Sequence, residues 1–233
     1  MVRAILNTGR IFVPLLAGAS LRDRVIASVG ALIGIGFVGL TCTALFPSTM
    51  PWIVAPMGAS AVLLFAVPAS PLAQPWSIAG GNVISAIVGA IVAWIFPDPA
   101  IAAAVAVSLA IMTMSLLRCL HPPGGAAALS AVLGGYALFS AHVADFLIVV
   151  LVNSLLMVAI GWMFHRFSGH SYPHRAKPVE GKALPPAPAS GLLMGDIDQA
   201  LDDLGETFDI SRDDLALLLE RAELHAAERS GKP

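Results

Sequence analysis

Charge is what this sequence has least of. Lys, Arg, Asp and Glu make up 12% of the 233 residues, against about 25% in an ordinary soluble domain. Between Arg24 and Arg166 the only charged side chains are Asp98, Arg118 and Asp145. A soluble fold of that size could not cover its surface with so few charges. Cysteine is nearly as scarce, with only Cys42 and Cys119, each inside an apolar run. Two such thiols give no secreted disulfide framework and read as small buried hydrophobes. No nucleophile–base constellation, phosphate loop or dinucleotide fingerprint is present, so neither an enzyme nor a cofactor is expected. Cys119 and His121 lack the companions that a metal site needs.

What the sequence has in abundance is apolar length: 57% of residues are hydrophobic. Six runs stand out, at about Val25–Phe46, Trp52–Pro68, Trp76–Phe96, Ala100–Leu117, Pro122–Phe139 and Val143–Phe164. A bilayer needs about 20 apolar residues per helix, and several of these runs supply it. The second and fifth are shorter, begin at prolines and are rich in Gly and Ala. They also resemble each other: Pro56-Met57-Gly58-Ala59-Ser60-Ala61-Val62-Leu63 aligns with Pro122-Pro123-Gly124-Gly125-Ala126-Ala127-Ala128-Leu129. The chain therefore reads as two copies of helix, short Pro/Gly-started helix, helix.

The net charge of −2 averages two unlike regions. Residues 1–170 carry six Lys/Arg and three acids, a net +3, whereas residues 191–233 carry four and eleven, a net −7. The acidic end argues against nucleic acid and against anionic lipid as its partner. Residues 1–24 read as a cytoplasmic N-terminal segment rather than a signal peptide, because Arg22, Asp23 and Arg24 follow its apolar stretch without a cleavage site. Residues 25–166 form the membrane domain, 167–191 a Pro- and His-rich linker, and 192–230 two amphipathic cytoplasmic helices. Ser211 is placed to cap the second of these. Arginines flank both ends of the membrane domain, so both termini are expected in the cytoplasm. An even number of crossings follows, either four with two re-entrant segments or six. Arg118 favours six, which would make the halves inverted.

The sharpest local feature is Arg118-Cys119-Leu120-His121-Pro122-Pro123-Gly124-Gly125-Ala126. Consecutive prolines are tolerated only in the first turn of a helix, so Pro122-Pro123 marks a start with His121 at its cap. A helix N-terminus with uncovered amides attracts anions, and Pro56, Gly58, Ala59 and Ser60 repeat the arrangement. Two such starts facing each other would enclose a small anion, while tight helix packing explains the same Gly and Ala residues equally well. Arg118 could attract the anion, pair with Asp98 or Asp145, or snorkel at an interface. His121 reads as a proton relay, an anion ligand or a cap. Asn82 and Asn153 should hydrogen-bond across the bundle or line a pathway.

These residues, with Pro14–Ala19, Ala55–Ser60 and Gly81-Asn82, carry a resemblance to the HPP family of membrane proteins, named for the His-Pro-Pro tripeptide. The resemblance spans roughly residues 10–166. It implies an integral membrane protein, and some family members are linked to nitrite transport. Other members carry a nucleotide-binding CBS pair, and Asp196–Ala222 resembles the helical piece that precedes it. The sequence ends soon after, so CBS-type regulation is not expected. The expectation is an all-α polytopic membrane bundle of two three-element repeats with a small helical tail. Its expected role is as an inner-membrane, homo-oligomeric permease for a small inorganic anion, nitrite favoured. The alternative is a membrane sensor or scaffold whose C-terminal helices are the output.

Overall fold

A computed structural model describes residues 20–46, 53–134, 143–176, 193–205 and 207–230. Arg3, Arg10 and Pro14–Ala19 fall outside these residues, as do most of the linker and the end of the fifth apolar run. Eight α-helices and no strand occur among the described residues: α1 (Leu21–Leu45), α2 (Pro56–Ala66), α3 (Pro75–Ile95), α4 (Pro99–Leu116), α5 (Pro122–Leu133), α6 (Val143–Ser168), α7 (Met194–Leu204) and α8 (Arg212–Ser230). A 3₁₀ turn at Pro71–Ala73 precedes α3.

The helix starts follow from the chemistry of the breakers. Pro56, Pro75, Pro99 and Pro122 each occupy the first helical position, where a missing N–H costs nothing and φ is already set. Asp98 caps α4 by accepting from the amides of Ala100 and Ile101, both at 2.9 Å. Ser20 and Asp23 form a reciprocal capping box at the start of α1. Ser211 accepts from the Asp214 amide at 3.1 Å, the cap expected of α8.

Four helices, α1, α3, α4 and α6, are long and apolar enough to cross a membrane. The other two in the apolar region are half-length. α2 has 11 residues and α5 has 12, so each rises about 16–18 Å against a hydrocarbon core of about 30 Å.

Side-chain contacts fix the direction of every segment. Along α1, Gly30 meets Phe164 and Gly34 meets Met157, so α1 and α6 are antiparallel. The start of α3 lies by the end of α6, where Tyr172 bonds the Ala73 carbonyl, and Asn82 lies by Ser154. α3 is therefore antiparallel to α6 and parallel to α1. Gly81 meets His121 and Gly89 meets Ala128, so α5 runs parallel to α3. The Trp76 indole donates to the Leu117 carbonyl at 3.1 Å, joining the start of α3 to the end of α4. Phe65, at the end of α2, meets Gly30 near the start of α1, so chain direction alternates through the six segments. Arg22, Arg24, Arg118, Arg166 and Arg175 share the face where α1 starts; Asp98 and Asp145 mark the opposite one.

The central contact is α3 on α5, and it is made of small residues. A methyl group built on Gly89 would lie 2.4 Å from the Ala128 carbonyl oxygen, and one on Gly124 would lie 2.8 Å from the Gly81 carbonyl oxygen. Backbones this close need glycine. Gly58 opens α2 at the equivalent sequence position to Gly124 yet has nothing within 4 Å of such a methyl. Gly89→Ala is therefore expected to destabilise the detergent-purified protein by about 1–3 kcal/mol. Gly58→Ala should be neutral or gain about 0.5–1 kcal/mol of helix stability. Thermal unfolding followed by size exclusion checks both.

Candidate functional site

Among the described residues, six polar side chains are completely buried within the apolar region: Ser60, Asn82, Ser85, His121, Asn153 and Ser154. Polar groups at that depth are costly unless they are satisfied or functional. They divide into a clamp and a cluster.

The clamp is Asn153. Its Oδ1 accepts from the Val54 amide at 3.0 Å, and its Nδ2 donates to Cys42 Sγ at 3.2 Å. It thereby ties the turn before α2 to α1 and α6. His165, which the sequence reading passed over, does the same at the other end of α2: its Nε2 lies 2.9 Å from the Leu64 carbonyl. A carbonyl can only accept, so that nitrogen carries the proton, and Nδ1 accepts from Ser168.

The cluster joins α2, α3, the cap of α5, and α6. His121 Nδ1 lies 2.8 Å from the Leu72 carbonyl, which fixes the proton on Nδ1. Its Nε2 is then an acceptor, and the Ser60 hydroxyl at 2.8 Å donates to it. Asn82 Nδ2 donates in turn to Ser60 Oγ at 3.3 Å and to Ser154 Oγ at 3.4 Å. The result is a directional chain that carries no fixed charge. Two atoms beside it have no partner: Asn82 Oδ1 and Ser85 Oγ. They sit three residues apart, on one face of α3. The Ser85 hydroxyl occupies the space left by the missing side chain of Gly124, 2.7 Å from where its methyl would be.

Other sequence candidates are placed differently from the expectation. The two Pro/Gly starts do not face each other: the start of α2 is held at Asn153, and what meets His121 is Ser60 in the second turn of α2. Nor are the first amides uncovered. Met57 N donates to Val54 O at 3.0 Å, Gly58 N to Ala55 O at 3.1 Å, and Gly124 N to His121 O at 2.8 Å. Pro56, Pro122 and Pro123 have no N–H to offer. Gly58 and Ala59 are exposed on the outside of α2, Pro122 is exposed, and Gly125 and Ala126 are half-buried. Pro56, Pro123 and Gly124 are buried by packing.

Arg118 lies outside the cluster, exposed, on the face opposite Asp98 and Asp145, so it pairs with neither. Its φ of 55° is left-handed. Arg118 N donates to Ser115 O and Cys119 N to Met114 O, the bonding of a Schellman C-cap. That position normally favours glycine; here it turns the chain from α4 into His121.

Ser85, Ser154 and the Leu72 carbonyl complete the cluster and were not among the sequence candidates. Ser85 was signalled by its spacing from Asn82; a backbone acceptor leaves no mark in a sequence. Ser60→Ala is expected to cost about 1–3 kcal/mol, because it strands His121 Nε2 and an Asn82 donor. Ser130→Ala, whose hydroxyl only bonds back to Ala126 O one turn earlier, should change thermal stability little.

A transmembrane protein of Dictyostelium discoideum is 38% identical over 129 residues, covering 53% of this chain and 45% of the relative. A second transmembrane protein of that organism is 49% identical over 79 residues, covering 32% of this chain and 25% of the relative. The chain thus spans less than half the length of either relative. No solved structure matches it. The family profile described as HPP, transmembrane region, matches residues 17–173, which cover α1 to α6 and the whole buried cluster, and the chain therefore belongs to the HPP family of membrane proteins.

Proposed function

We propose that this protein is a membrane permease for a small inorganic oxyanion, and that the Ser60–His121–Asn82 cluster is where the solute binds. The carrying observation is a buried, uncharged polar cluster that holds one unpartnered acceptor, Asn82 Oδ1, beside one unpartnered hydroxyl, Ser85 Oγ. Such a pair matches a solute that offers a proton as well as an acceptor oxygen. A small oxyanion entering with a proton, or its neutral acid, satisfies both groups; a bare anion satisfies only the hydroxyl. Nitrite is the candidate that family resemblance favours, and it is a weak base. His121 is the only titratable side chain in the cluster, so its Nε2 is the natural place for a co-transported proton.

The arrangement of the helices supports alternating access. Exchanging α1 with α4, α2 with α5, and α3 with α6 maps every closely packed helix pair onto another packed pair. Together with the alternating directions, this supports reading the bundle as two three-helix halves of opposite orientation, a recurrent transporter design. The arginine-bearing face is assigned to the cytoplasm by the positive-inside rule, in a bacterial inner membrane, with homo-oligomeric assembly. Arg118 stands on that face and raises local anion concentration without touching the bound solute. A second reading, a sensor or scaffold with the C-terminal helices as output, draws on the contacts that those helices make with the membrane domain.

In liposomes with an imposed pH gradient, the purified protein is expected to raise nitrite flux. His121→Ala and Asn82→Leu should each reduce flux by at least about tenfold, the loss that goes with about 1.4 kcal/mol at a binding or barrier step. Arg118→Ala should lower flux only at low salt, because a surface charge is screened within about 10 Å at 0.1 M. Equal flux in His121→Ala and the parent would contradict the site. For topology, single cysteines at positions 98 and 118 should be labelled by impermeant reagents from opposite sides.

A further inference from the structure

The C-terminal segment reaches the cluster through one turn. Ser70 caps the 3₁₀ turn Pro71–Ala73: its Oγ accepts from Leu72 N at 3.1 Å and donates to Asp209 Oδ1, just before α8, at 2.7 Å. The Leu72 carbonyl is the group that holds His121 Nδ1. Two sets of hydrogen bonds therefore meet at the Leu72 backbone: Asp209 and Ser70 hold its amide, and His121, bonded onward to Ser60 and Asn82, holds its carbonyl. A second grip closes on the same turn. The Tyr172 hydroxyl donates to the Ala73 carbonyl at 3.0 Å, and the His174 amide donates to Gln74 Oε1 at 2.8 Å. Burial pushes the Tyr172 hydroxyl above its usual range, so it stays a neutral donor.

This second grip is itself tied to α8. His174 Nε2 lies 2.8 Å from Asp214 Oδ1, and the Ser211 hydroxyl bonds the other oxygen. Burial pushes the Asp214 carboxyl up, but the bonds from His174 and Ser211 outweigh it and hold the group below its ordinary value. Ser70, Ala73 and Tyr172 are all buried at this junction. A backbone turn held on both sides in this way transmits displacement where it has a held and a released state.

We infer that residues 172–174 and 209–214 form a latch on the 70–74 turn, and that the latch controls the position of His121 and hence the transport site, an inference that in its last step rests on the function proposed above. With the latch closed, Leu72 O keeps His121 in its Nδ1–H form facing Ser60. Released, the turn no longer holds the imidazole.

Cys119, buried and two residues before His121, reports on the turn without any transport assay. In the full-length protein carrying Cys42→Ser, which leaves Cys119 as the only thiol and keeps an acceptor for Asn153, the rate of alkylation by N-ethylmaleimide is measured in liposomes. The pair Asp209→Ala with Asp214→Ala, which removes the bonds to Ser70 and to His174, is expected to raise that rate by at least about fivefold, the factor that even one lost hydrogen bond gives. Asp203→Ala, exposed on α7, should leave it unchanged. An unchanged rate in the paired variant, or an equal rise in Asp203→Ala, overturns the latch. Nitrite flux in the same vesicles separates the two readings. Absence of flux in the parent overturns the transport reading, and the Cys119 rates still decide the latch.

Discussion

Backbone polar groups at membrane depth must be hydrogen-bonded within the protein, and two helices of 11 and 12 residues leave more such groups than full-length spans would. The fold is built around meeting that demand. His121 covers the Leu72 carbonyl, His165 the Leu64 carbonyl, Asn153 the Val54 amide, Trp76 the Leu117 carbonyl and Tyr172 the Ala73 carbonyl. Each is a side chain from one segment finishing the backbone of another. The polar residues of the apolar region are therefore structural first, and the functional cluster is where this network also leaves atoms unpartnered.

That view separates two histidines whose environments look alike. Both bond a carbonyl through one nitrogen and a serine through the other. His165 meets Ser168 on its own helix, which closes a local ring. His121 meets Ser60 from another segment, and Ser60 is shared with Asn82. Motion of α2 against its neighbours therefore changes the Ser60 bond of His121 and the Leu64 bond of His165 alike, but only His121 stands beside the unpartnered Asn82 and Ser85 atoms.

Much of the scaffold was legible in the sequence, for local reasons. Prolines announced the starts of α2, α3, α4 and α5 because a fixed φ and a missing N–H have only one good place in a helix. Ser211 announced a cap, and the 66-residue offset between Pro56 and Pro122 announced the pair of short helices. What faces what was not legible. Gly58 and Gly124 occupy equivalent motif positions, yet one faces outward and the other lies against Gly81 and Ser85. The amides expected to cradle an anion are used by the turns before each helix, a detail of backbone path that residue types do not encode. Arg118, the most conspicuous charge, is a C-cap in the left-handed region rather than a lining residue.

The central claim is that solute binds at His121. Solid-state nitrogen NMR of histidine-labelled protein in bilayers addresses it directly, with the His121 signals identified by their loss in His121→Asn. Without solute, His121 is expected as the neutral tautomer protonated at Nδ1. Adding nitrite at mildly acidic pH should shift its Nε2 resonance while leaving that of His165 in place. A His121 spectrum unchanged at saturating nitrite, or one shifted no more than His165, would contradict the account.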